Sequence, residues 1–263
     1  MISNLADIDK RAKLGANVVV DSFTKIFDNV EIGEGTWIGS NVTIYPGARI
    51  GKNCKIFPGS VISAIPQDLK FEGEETTAEI GDNSTIRECV TINRGTIDKF
   101  KTVVGKNCLI MAYVHLAHDD MVGNNVIIAN GVQLAGHVII EDNARIGGLS
   151  AVHQFVKIGR HVMIEGGSMV SKDIPPFVKV GRYPISYEGV NTIGLKRSGF
   201  TPEKINEIQS IYRLLFVHNS NVSKAIKIVE TTMNITPELD EILEFIKKSE
   251  RGVMKGFQFR KNN

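Results

Sequence analysis

A six-residue repeat runs through the first two thirds of the chain and constrains its fold more than any other feature. Counting from Ile2 to Val170, 26 of the 29 residues at this spacing are Ile, Val or Leu. A helix would bury residues with a period of about 3.6, and a long strand would bury every second residue, so neither produces this pattern. One aliphatic residue in six indicates one inward-pointing side chain on each of many short strands. The repeat therefore predicts a parallel β-helix of hexapeptide repeats.

The third residue after each repeat position is often one that suits a tight corner. Asn and Gly tolerate a positive φ at lower cost than other residues, so they fit between two short strands that change direction. The residues of this kind are Asn17, Asn29, Gly35, Asn41, Gly47, Asn53, Gly59, Asn83, Gly95, Asn107, Asn125, Gly131, Asn143 and Gly167. They divide the repeat into regular units of strand and corner, which supports a solenoid of stacked coils.

Three repeat positions are not aliphatic: Asp68, Glu74 and Asp98. They lie in the polar stretches PQDLKFEGEETT and NRGTIDKFK, and the repeat resumes in phase after each stretch. We therefore expect loops near 63–79 and 93–103 that leave the helix and return without changing its register. Loops on a rigid scaffold often carry functional residues, although a tolerated surface insertion is the alternative.

The repeat ends after Val170, where SKDIPPF places two prolines in succession. Two later segments share a helix-start pattern, in which Thr201 and Thr236 are each followed by Pro and Glu and then by aliphatic residues at helical spacing. We therefore predict an all-β solenoid over 1–185 and a small C-terminal α-helical domain over 186–263. The helical domain would cap the open end of the solenoid.

Composition and charge exclude several functional classes. With 31 basic and 29 acidic residues, the net charge of +2 does not favour a nucleic-acid partner. Cys54, Cys89 and Cys108 are odd in number and have no CxxC spacing, as expected of reduced thiols. No secretory signal and no apolar stretch of membrane-spanning length is apparent. We therefore expect a cytoplasmic protein and not an integral membrane protein.

The openings IGKN, IGDN and VGKN, at Ile50, Ile80 and Val104, resemble those of the left-handed β-helix acyltransferases, the hexapeptide-repeat family. The resemblance implies a left-handed helix with three hexapeptides in each coil. On that coil length, residues separated by about one coil lie on the same side of the helix, on rungs roughly 4.8 Å apart.

Histidine and carboxylate side chains gather in one stretch of the repeat, HLAHDD. His118 and His137 are separated by one coil plus one residue, and His153 follows His137 by almost one coil, so we expect the three imidazoles on one side of the stack. Asp119 and His137 occupy the corner position, where turn chemistry alone is a sufficient reason for Asp or His. Together with Gly136, which leaves backbone unshielded beside them, the cluster favours a cleft with a base and a backbone N–H donor.

Longer segments resemble one family more closely, the UDP-N-acetylglucosamine acyltransferases of lipid A synthesis. These segments are PQDLKFEGE, IRECVTINRGT, MAYVHLAHDD, GVQLAGHVIIEDNARIGG, AVHQFVKIGRHVMI and VNTIGLKRSGF, and the resemblance covers essentially the full chain. It implies transfer of an R-3-hydroxyacyl chain from acyl carrier protein to the 3-hydroxyl of UDP-N-acetylglucosamine. It also implies a homotrimer whose adjacent subunits share each cleft. We expect no cofactor and no metal.

The resemblance assigns roles to residues at matching positions. His118 corresponds to the general base that takes the proton from the sugar hydroxyl, and Asp119 to the carboxylate that orients it. Gly136 corresponds to the backbone N–H donor for the thioester oxyanion. Substrate-binding positions correspond to Asp68, Lys70, His115, His137, His153, Gln154, Asn191 and Arg197, and the acyl-chain ruler corresponds to Gly166.

Two residues depart from the family's pattern in the nucleotide-contacting segment. Ile193 stands where better-known members carry Glu, and Ser198 stands where a second Arg is common. These departures do not touch the base, but they leave open a 3-amino analogue of the acceptor sugar.

Three other functions remain open at this point. In a zinc enzyme of the γ-carbonic-anhydrase type, His115, His118 and His137 would be ligands, but Asp119, Gly136 and the helical domain would then have no role. A non-catalytic solenoid would present a uniform face, and no such face is apparent. A sister N-acyltransferase of a later lipid A step usually carries an extra N-terminal domain, whereas this repeat begins at the second residue.

Overall fold

The computed structural model describes residues 1–181, 183–218, 221–254 and 256. Within them, the chain winds into a left-handed parallel β-helix and ends in a small group of α-helices, as the repeat and the family resemblance predict. Most strands are two residues long, because a corner follows each inward-pointing side chain.

Three sheets form the sides of the helix in the part of the chain that the structure describes. Sheet 1 consists of Asp7–Ile8, Lys25–Ile26, Thr43–Ile44, Val61–Ala64, Thr91–Asn93, His115–Leu116, Gln133–Leu134, Ala151–Val152 and Met169–Val170. Sheet 2 consists of Lys13–Leu14, Glu31–Ile32, Ala48–Ile50, Thr77–Ile80, Lys101–Val104, Met121–Val122, Ile139–Ile140 and Lys157–Ile158. Sheet 3 consists of Val19–Val20, Trp37–Ile38, Lys55–Ile56, Thr85–Ile86, Leu109–Ile110, Ile127–Ile128, Arg145–Ile146, Met163–Ile164, Val178–Gly181 and the antiparallel Ser186–Val190.

Each strand pairs in register with the strands of the coils above and below it. In sheet 1, Ile92 pairs with Leu116, Leu116 with Leu134, and Leu134 with Val152. These four side chains are at most 1% exposed, so the six-residue repeat becomes a continuous aliphatic column. Burying one side chain of this size stabilises the fold by about 1.5–3 kcal/mol, and the repetition along the column accounts for most of the core.

The corners between sheets run along the helix as edges, and corner residues have a positive φ on each edge. We call the corners between sheets 1 and 2 the histidine edge, which includes Asp119, His137 and Phe155. The corners between sheets 2 and 3 form the asparagine edge, which includes Asn17, Gly35, Asn53, Asn83, Asn107, Asn125 and Asn143. The corners between sheets 3 and 1 form the apolar edge, which includes Phe23, Tyr113 and Leu149.

Two loops interrupt the coils beside the histidine edge. The first loop covers 65–76 and the second covers 94–100. They carry the repeat positions that are not aliphatic, and both lie inside the stretches expected from the sequence. Ile62 and Ile92 still pair across the first loop, so the column keeps its phase.

The C-terminal part changes from strand to helix after Val190. The α-helices are α1 (Thr192–Arg197), α2 (Pro202–Tyr212), α3 (Val222–Thr232) and α4 (Pro237–Lys247), and α2 continues as a π-helical segment over Arg213–Val217. The side chains of Thr201 and Thr236 accept hydrogen bonds from backbone N–H groups and so cap α2 and α4. The boundary expected at residue 186 falls at the start of the last strand, and 257–263 of the expected helical domain lie outside the described residues.

The helices pack against the C-terminal end of the β-helix. The hydroxyl of Tyr212 donates to the carbonyl of Pro176 at 2.6 Å, and Arg160 forms a bidentate ion pair with Glu241 at 2.6 and 2.7 Å. These contacts cover the last coil, whose unpaired strand edge would otherwise be exposed. Among the described residues, no helix has the length and apolar character needed to cross a membrane.

Candidate active site

The imidazole and carboxylate of HLAHDD form a hydrogen-bonded pair at the histidine edge. His118 is 4% exposed, Asp119 is fully buried, and Nδ1 of His118 lies 2.9 Å from Oδ2 of Asp119. A carboxylate at this distance favours the tautomer that carries its proton on Nδ1, which leaves Nε2 free to act as a base. The pair therefore has the geometry of a general base with its orienting group.

The second loop holds Asp119 from the other side. Thr96 donates its backbone N–H to Oδ1 at 3.0 Å and its hydroxyl to Oδ2 at 2.6 Å, and the Lys99 N–H donates to Oδ1 at 3.2 Å. Burial alone would raise the pKa of Asp119, but hydrogen bonds from His118, Thr96 and Lys99 outweigh burial and lower the pKa to about 2. The carboxyl group is therefore ionised at neutral pH and fixed in position.

The free side of the His118 ring faces Asp68 and Gly136. Nε2 lies 4.0 Å from Oδ2 of Asp68, which reaches it from the first loop. A Cβ atom built on Gly136 would lie 3.3 Å from Nε2 and Cε1 of the same ring. Gly136 has a φ of 101°, and its N–H donates to no acceptor among the described residues. A basic nitrogen and an unused backbone N–H therefore lie side by side, as acyl transfer requires.

His137 lies one coil above His118 and is held by contacts of its own. Its Nδ1 lies 2.9 Å from Oδ2 of Asp98 in the second loop, and its Nε2 lies 3.9 Å from Oδ2 of Asp119. The His137 ring stands edge-on to His118, with centroids 4.9 Å apart, and stacks on Phe155 at 4.4 Å. The ring is therefore restrained on both faces, beside the candidate base.

His115 lies on the adjoining face of sheet 1. Its Nδ1 is 2.7 Å from the hydroxyl of Thr91. Burial, and then the neighbouring His118, lower the pKa of His115, which favours the neutral imidazole. A neutral imidazole can donate one hydrogen bond and accept another.

A cleft of about 470 Å³ opens along this face of sheet 1. Besides aliphatic strand residues, its lining includes Gln67, His115, His118, Ala135, His153 and Gln154. The His153 side chain is exposed, while that of Gln154 is half-buried. The structure therefore brings the base and several of the predicted substrate-binding residues to one concave surface.

Asn191 and Arg197 line a different cleft, of about 460 Å³, where α1 meets the β-helix. Asn191 caps α1 with its side-chain oxygen and donates its side-chain N–H to the carbonyl of His161 at 2.9 Å. Ile193, which is 65% exposed, and Ser198 line the same cleft. Within a single chain, the substrate-binding residues predicted from the sequence thus fall into two groups.

Lys70 and Gly166 line neither of these clefts. Lys70 is exposed in the first loop and donates its backbone N–H to Oδ1 of Asp68 at 2.9 Å. Gly166 is exposed beside the apolar edge, and the nearest atom to a Cβ built there is the carbonyl oxygen of Gly148, at 3.1 Å. The space beyond Gly166 is therefore open on one side.

The sequence did not identify Thr96 or Lys99 as site residues. Both belong to the second loop, which has no repeat, and both reach a carboxylate at least 20 residues away in the chain. Asp98 did carry a signal, because it interrupts the aliphatic repeat, but that signal did not reveal its contact with His137.

His118, Asp119 and His137 form a group of potential metal ligands among the described residues, with ligand atoms within 4.8 Å of one another. His115, which a three-histidine zinc site would require, is not part of this group. The Asp119 oxygens already accept hydrogen bonds from Thr96. The arrangement therefore departs from the zinc site considered from the sequence.

Comparison with protein families divides the chain as the fold does. Residues 173–254 match the family model described as UDP N-acetylglucosamine O-acyltransferase, domain 2. Residues 29–64 and 101–136 match the bacterial transferase hexapeptide model, and residues 137–172 match the hexapeptide repeat of succinyl-transferase.

Comparison with individual proteins extends the match over most of the chain. The acyl-[acyl-carrier-protein]–UDP-N-acetylglucosamine O-acyltransferase of Alkalilimnicola ehrlichii is 41% identical over 191 residues, which cover 72% of this chain and 74% of the relative. The protein of the same name from Gloeothece citriformis is 42% identical over 190 residues, covering 72% and 68%.

Solved structures show the same relationship. The UDP-N-acetylglucosamine acyltransferase of Bacteroides fragilis is 50% identical, with a TM-score of 0.94 over 97% of this chain and 100% of that chain. The Francisella novicida enzyme of the same description is 38% identical, with a TM-score of 0.93 over 97% and 94%. This chain is therefore an acyltransferase that belongs to the acyl-[acyl-carrier-protein]–UDP-N-acetylglucosamine O-acyltransferase family.

Proposed function

We propose that the enzyme transfers an R-3-hydroxyacyl chain from acyl carrier protein to the 3-hydroxyl of UDP-N-acetylglucosamine, the first step of lipid A synthesis. The names of its relatives include both the carrier protein and the sugar nucleotide. The observation that carries the proposal is the His118–Asp119 pair beside the unused N–H of Gly136.

In the proposed reaction, Nε2 of His118 accepts the proton of the sugar hydroxyl while the hydroxyl oxygen forms a bond to the thioester carbon. The ionised Asp119 stabilises the imidazolium through Nδ1–H. The tetrahedral intermediate then collapses, the carbon–sulfur bond breaks, and the imidazolium returns its proton to the departing thiolate. The products are an ester and a free thiol. A positioned base of this kind contributes about 10²–10⁴-fold to the rate.

The Gly136 N–H would stabilise the negative charge that develops on the thioester oxygen. Its carbon lies against the His118 ring, so an oxyanion near this N–H would also be near the base. Removing one such donor typically lowers kcat by about 10²–10³-fold.

The remaining residues would bind the two substrates. His115, His137 and Asp68 surround the base and would contact the sugar, with Lys70 beside Asp68. His153 and Gln154 line the same cleft as His115 and His118, and they would also contact the substrates. In the second cleft, Arg197 with Asn191 would bind the diphosphate and uridine, since a guanidinium pairs well with phosphate oxygens. Gly166 would set the acyl length.

We further propose a cytoplasmic homotrimer in which adjacent subunits complete each site. The two groups of substrate-binding residues occupy separate clefts of one chain, and a neighbouring subunit would join them. Phe23, Tyr113 and Leu149 on the apolar edge are 66%, 67% and 79% exposed. Aligned apolar side chains of this kind are typical of a surface that is covered in an assembly. The three cysteines are free thiols, as in a reducing compartment.

The test is mass spectrometry of the purified enzyme incubated with UDP-N-acetylglucosamine and a panel of 3-hydroxyacyl carrier-protein thioesters. We expect the sugar nucleotide to gain the mass of one 3-hydroxyacyl group, attached to the 3-oxygen. Transfer only to the 3-amino analogue would change the acceptor and direct attention to Ile193. Transfer to neither would contradict the proposal and favour the N-acyltransferase of a later step.

A further inference from the structure

Asp120 takes no part in the proposed reaction, yet its carboxyl group is buried beside the site. The side chain is 0% exposed. Oδ1 accepts the N–H of Val138 at 2.9 Å, and Oδ2 has no hydrogen-bond partner among the described residues. A buried polar atom without a partner destabilises a fold, so a carboxyl group at this position points to a role.

The position of Asp120 in the repeat makes its side chain point into the helix. It stands four residues after Leu116, at the second inward-facing position of the coil. On other coils this position holds neutral side chains, including Thr24, Val30, Thr36, Val42, Cys54, Ser84, Thr102, Val126, Ala144 and Ser150. A carboxyl group is therefore a departure from the pattern, and it occurs directly after Asp119.

Asp120 accepts its hydrogen bond from Val138, which belongs to the corner that carries Gly136. At the next corner along the histidine edge the equivalent N–H, that of Val156, donates to the carbonyl of His153 at 3.3 Å and closes the turn, as the N–H of Ala48 does to Tyr45 at 3.4 Å. The Val138 N–H is taken by Asp120 instead, so this hydrogen bond does not close the turn.

Hydroxyl side chains at the inward position act differently from Asp120. Thr24 accepts the N–H of Val42 at 3.3 Å and also donates to the carbonyl of Gly39 at 2.7 Å. The hydroxyl therefore bridges the two ends of the turn. Asp120 makes only the first of these two hydrogen bonds.

The backbone of the Gly136 corner is also unusual. Gly136 and His137 have φ values of 101° and 55°, and among the described residues they are the one case of two successive positive φ values. The Gly136 N–H has no acceptor in the described chain, but this also holds for the equivalent N–H groups of His118 and Gln154. The features that distinguish the corner contacted by Asp120 are therefore the unclosed turn and the two successive positive φ values.

We propose that Asp120 is a positioning residue, which accepts the Val138 N–H, keeps this corner open and so presents the Gly136 N–H to the thioester oxyanion. The inference rests on the role of Gly136 in the proposed function.

Asp120 lies where burial disfavours its charged form. Burial, together with the charge of Asp119, raises the pKa of Asp120 well above its usual range against the hydrogen bond from the Val138 N–H. A neutral carboxyl oxygen still accepts a hydrogen bond. Asn has the same shape and keeps such an oxygen, whereas Val fits the inward position but accepts nothing.

The test compares Asp120→Asn, Asp120→Val and the control Thr36→Val in the full-length enzyme. Thr36 accepts the N–H of Cys54 at 3.0 Å and donates to the carbonyl of Gly51 at 2.8 Å, in a coil far from the site, so Thr36→Val removes the equivalent hydrogen bond together with a second one. We expect Asp120→Val to lower kcat about tenfold or more, which is less than the loss of kcat when an oxyanion donor is removed altogether. The KM for the sugar nucleotide should change little. Asp120→Asn should restore kcat, and Thr36→Val should leave it unchanged.

A crystal structure of Asp120→Val supplies a second readout that does not depend on activity, namely φ of Gly136. An unchanged corner with unchanged kcat would overturn the inference, as would an equal loss of kcat in Thr36→Val. A moved corner with unchanged kcat would support the positioning role and show instead that Gly136 is not the oxyanion donor. If Asp120→Val does not fold, Asp120→Ala takes its place, since Ala144 occupies the same inward position on another coil.

Discussion

The histidine edge and the asparagine edge are built from the same corner and carry different chemistry. Asp119 on the first has a φ of 61°, and Asn107 on the second has a φ of 57°. On the asparagine edge, side chains contact their equivalents in the next coil, as Asn83 does when it donates to Asn107 at 3.3 Å. On the histidine edge, the same backbone holds an ionised carboxylate and two imidazoles beneath the two loops.

This comparison shows that the corner conformation is common to both edges, whereas the side chains that the corners carry differ between them. Asn tolerates a positive φ, so the asparagine edge needs no compensation. Asp and His are also among the residues found in this conformation, as Asp119 and His137 are, whereas it costs a residue such as Phe155 about 1–2 kcal/mol. Stacking of the Phe155 ring on His137 offsets that cost. Phe23, Tyr113 and Leu149 on the apolar edge adopt the same conformation, so the histidine edge is distinguished by its side chains and their contacts.

The largest expected effect is the loss of the base on the histidine edge. His118→Ala should lower kcat by about 10²–10⁴-fold, because the His118 ring is the basic group that lies against Gly136, while the fold is retained. Steady-state kinetics with circular dichroism measures both. Lys106 occupies the same corner position on the asparagine edge, so Lys106→Ala is the matched control and should keep its activity. Turnover of His118→Ala within tenfold of the parent would place the base elsewhere.

The next largest effect is expected at Gly136, where a matched control separates backbone strain from the loss of the oxyanion donor. Gly136→Ala should lower kcat by about 10–10²-fold, because its Cβ atom would lie 3.3 Å from the His118 ring at a φ of 101°. Gly35→Ala on the asparagine edge introduces a Cβ at a φ of 70°, so it should lower the melting temperature and leave kcat intact. Equal losses of kcat in both variants would mean that strain alone explains the result.

A substitution near the apolar edge tests substrate length without touching the base. Gly166→Met should shift the preferred acyl donor to a shorter chain by filling the open space beside Gly166. A competition among carrier-protein thioesters, read by mass spectrometry, gives the distribution of product lengths. If that distribution is the same in the variant and the parent, Gly166 is not the ruler.

The charge on the histidine edge should also affect stability at low pH. The pKa of Asp119 is lowered from 3.8 to about 2, so the ionised carboxylate stabilises the fold by about 2 kcal/mol above pH 4, and this contribution disappears as pH falls through about 2. Asp119→Asn removes the titration and keeps a residue that tolerates positive φ. Urea unfolding should show the difference in unfolding free energy between parent and variant narrowing below about pH 4. A difference that stays constant with pH would contradict the assignment.

The smallest expected effect is the loss of stability caused by a substitution on the asparagine edge. Asn107→Ala should reduce the free energy of unfolding by about 1 kcal/mol, because Ala is less tolerant of a positive φ than Asn. Asn107→Gly, the control for the conformation, should be nearly neutral. Chemical denaturation measures both, and kcat should not change in either variant. A large loss of activity in Asn107→Ala would remove the distinction between the two edges.

The sequence by itself determined the coil, its inward column and the corner positions. A period of six is a local property, so Leu116 and Leu134 could be placed inside and Asp119 at a corner before any contact was known. It also placed His118, His137 and Gly136 at the same side of adjacent coils. The second inward position, four residues after each repeat residue, was not recognised from the sequence, so Asp120 was not singled out.

Only the tertiary structure decided how the loops complete the site. Thr96 bonds to Asp119 across 23 residues, and Asp98 reaches His137 across 39. Loop residues follow no period, so their positions depend on hydrogen bonds to coils that are distant in sequence, and on the burial that makes those bonds strong. The repeat therefore specified the scaffold, and the folded loops specified the environment that ionises Asp119 and orients His118.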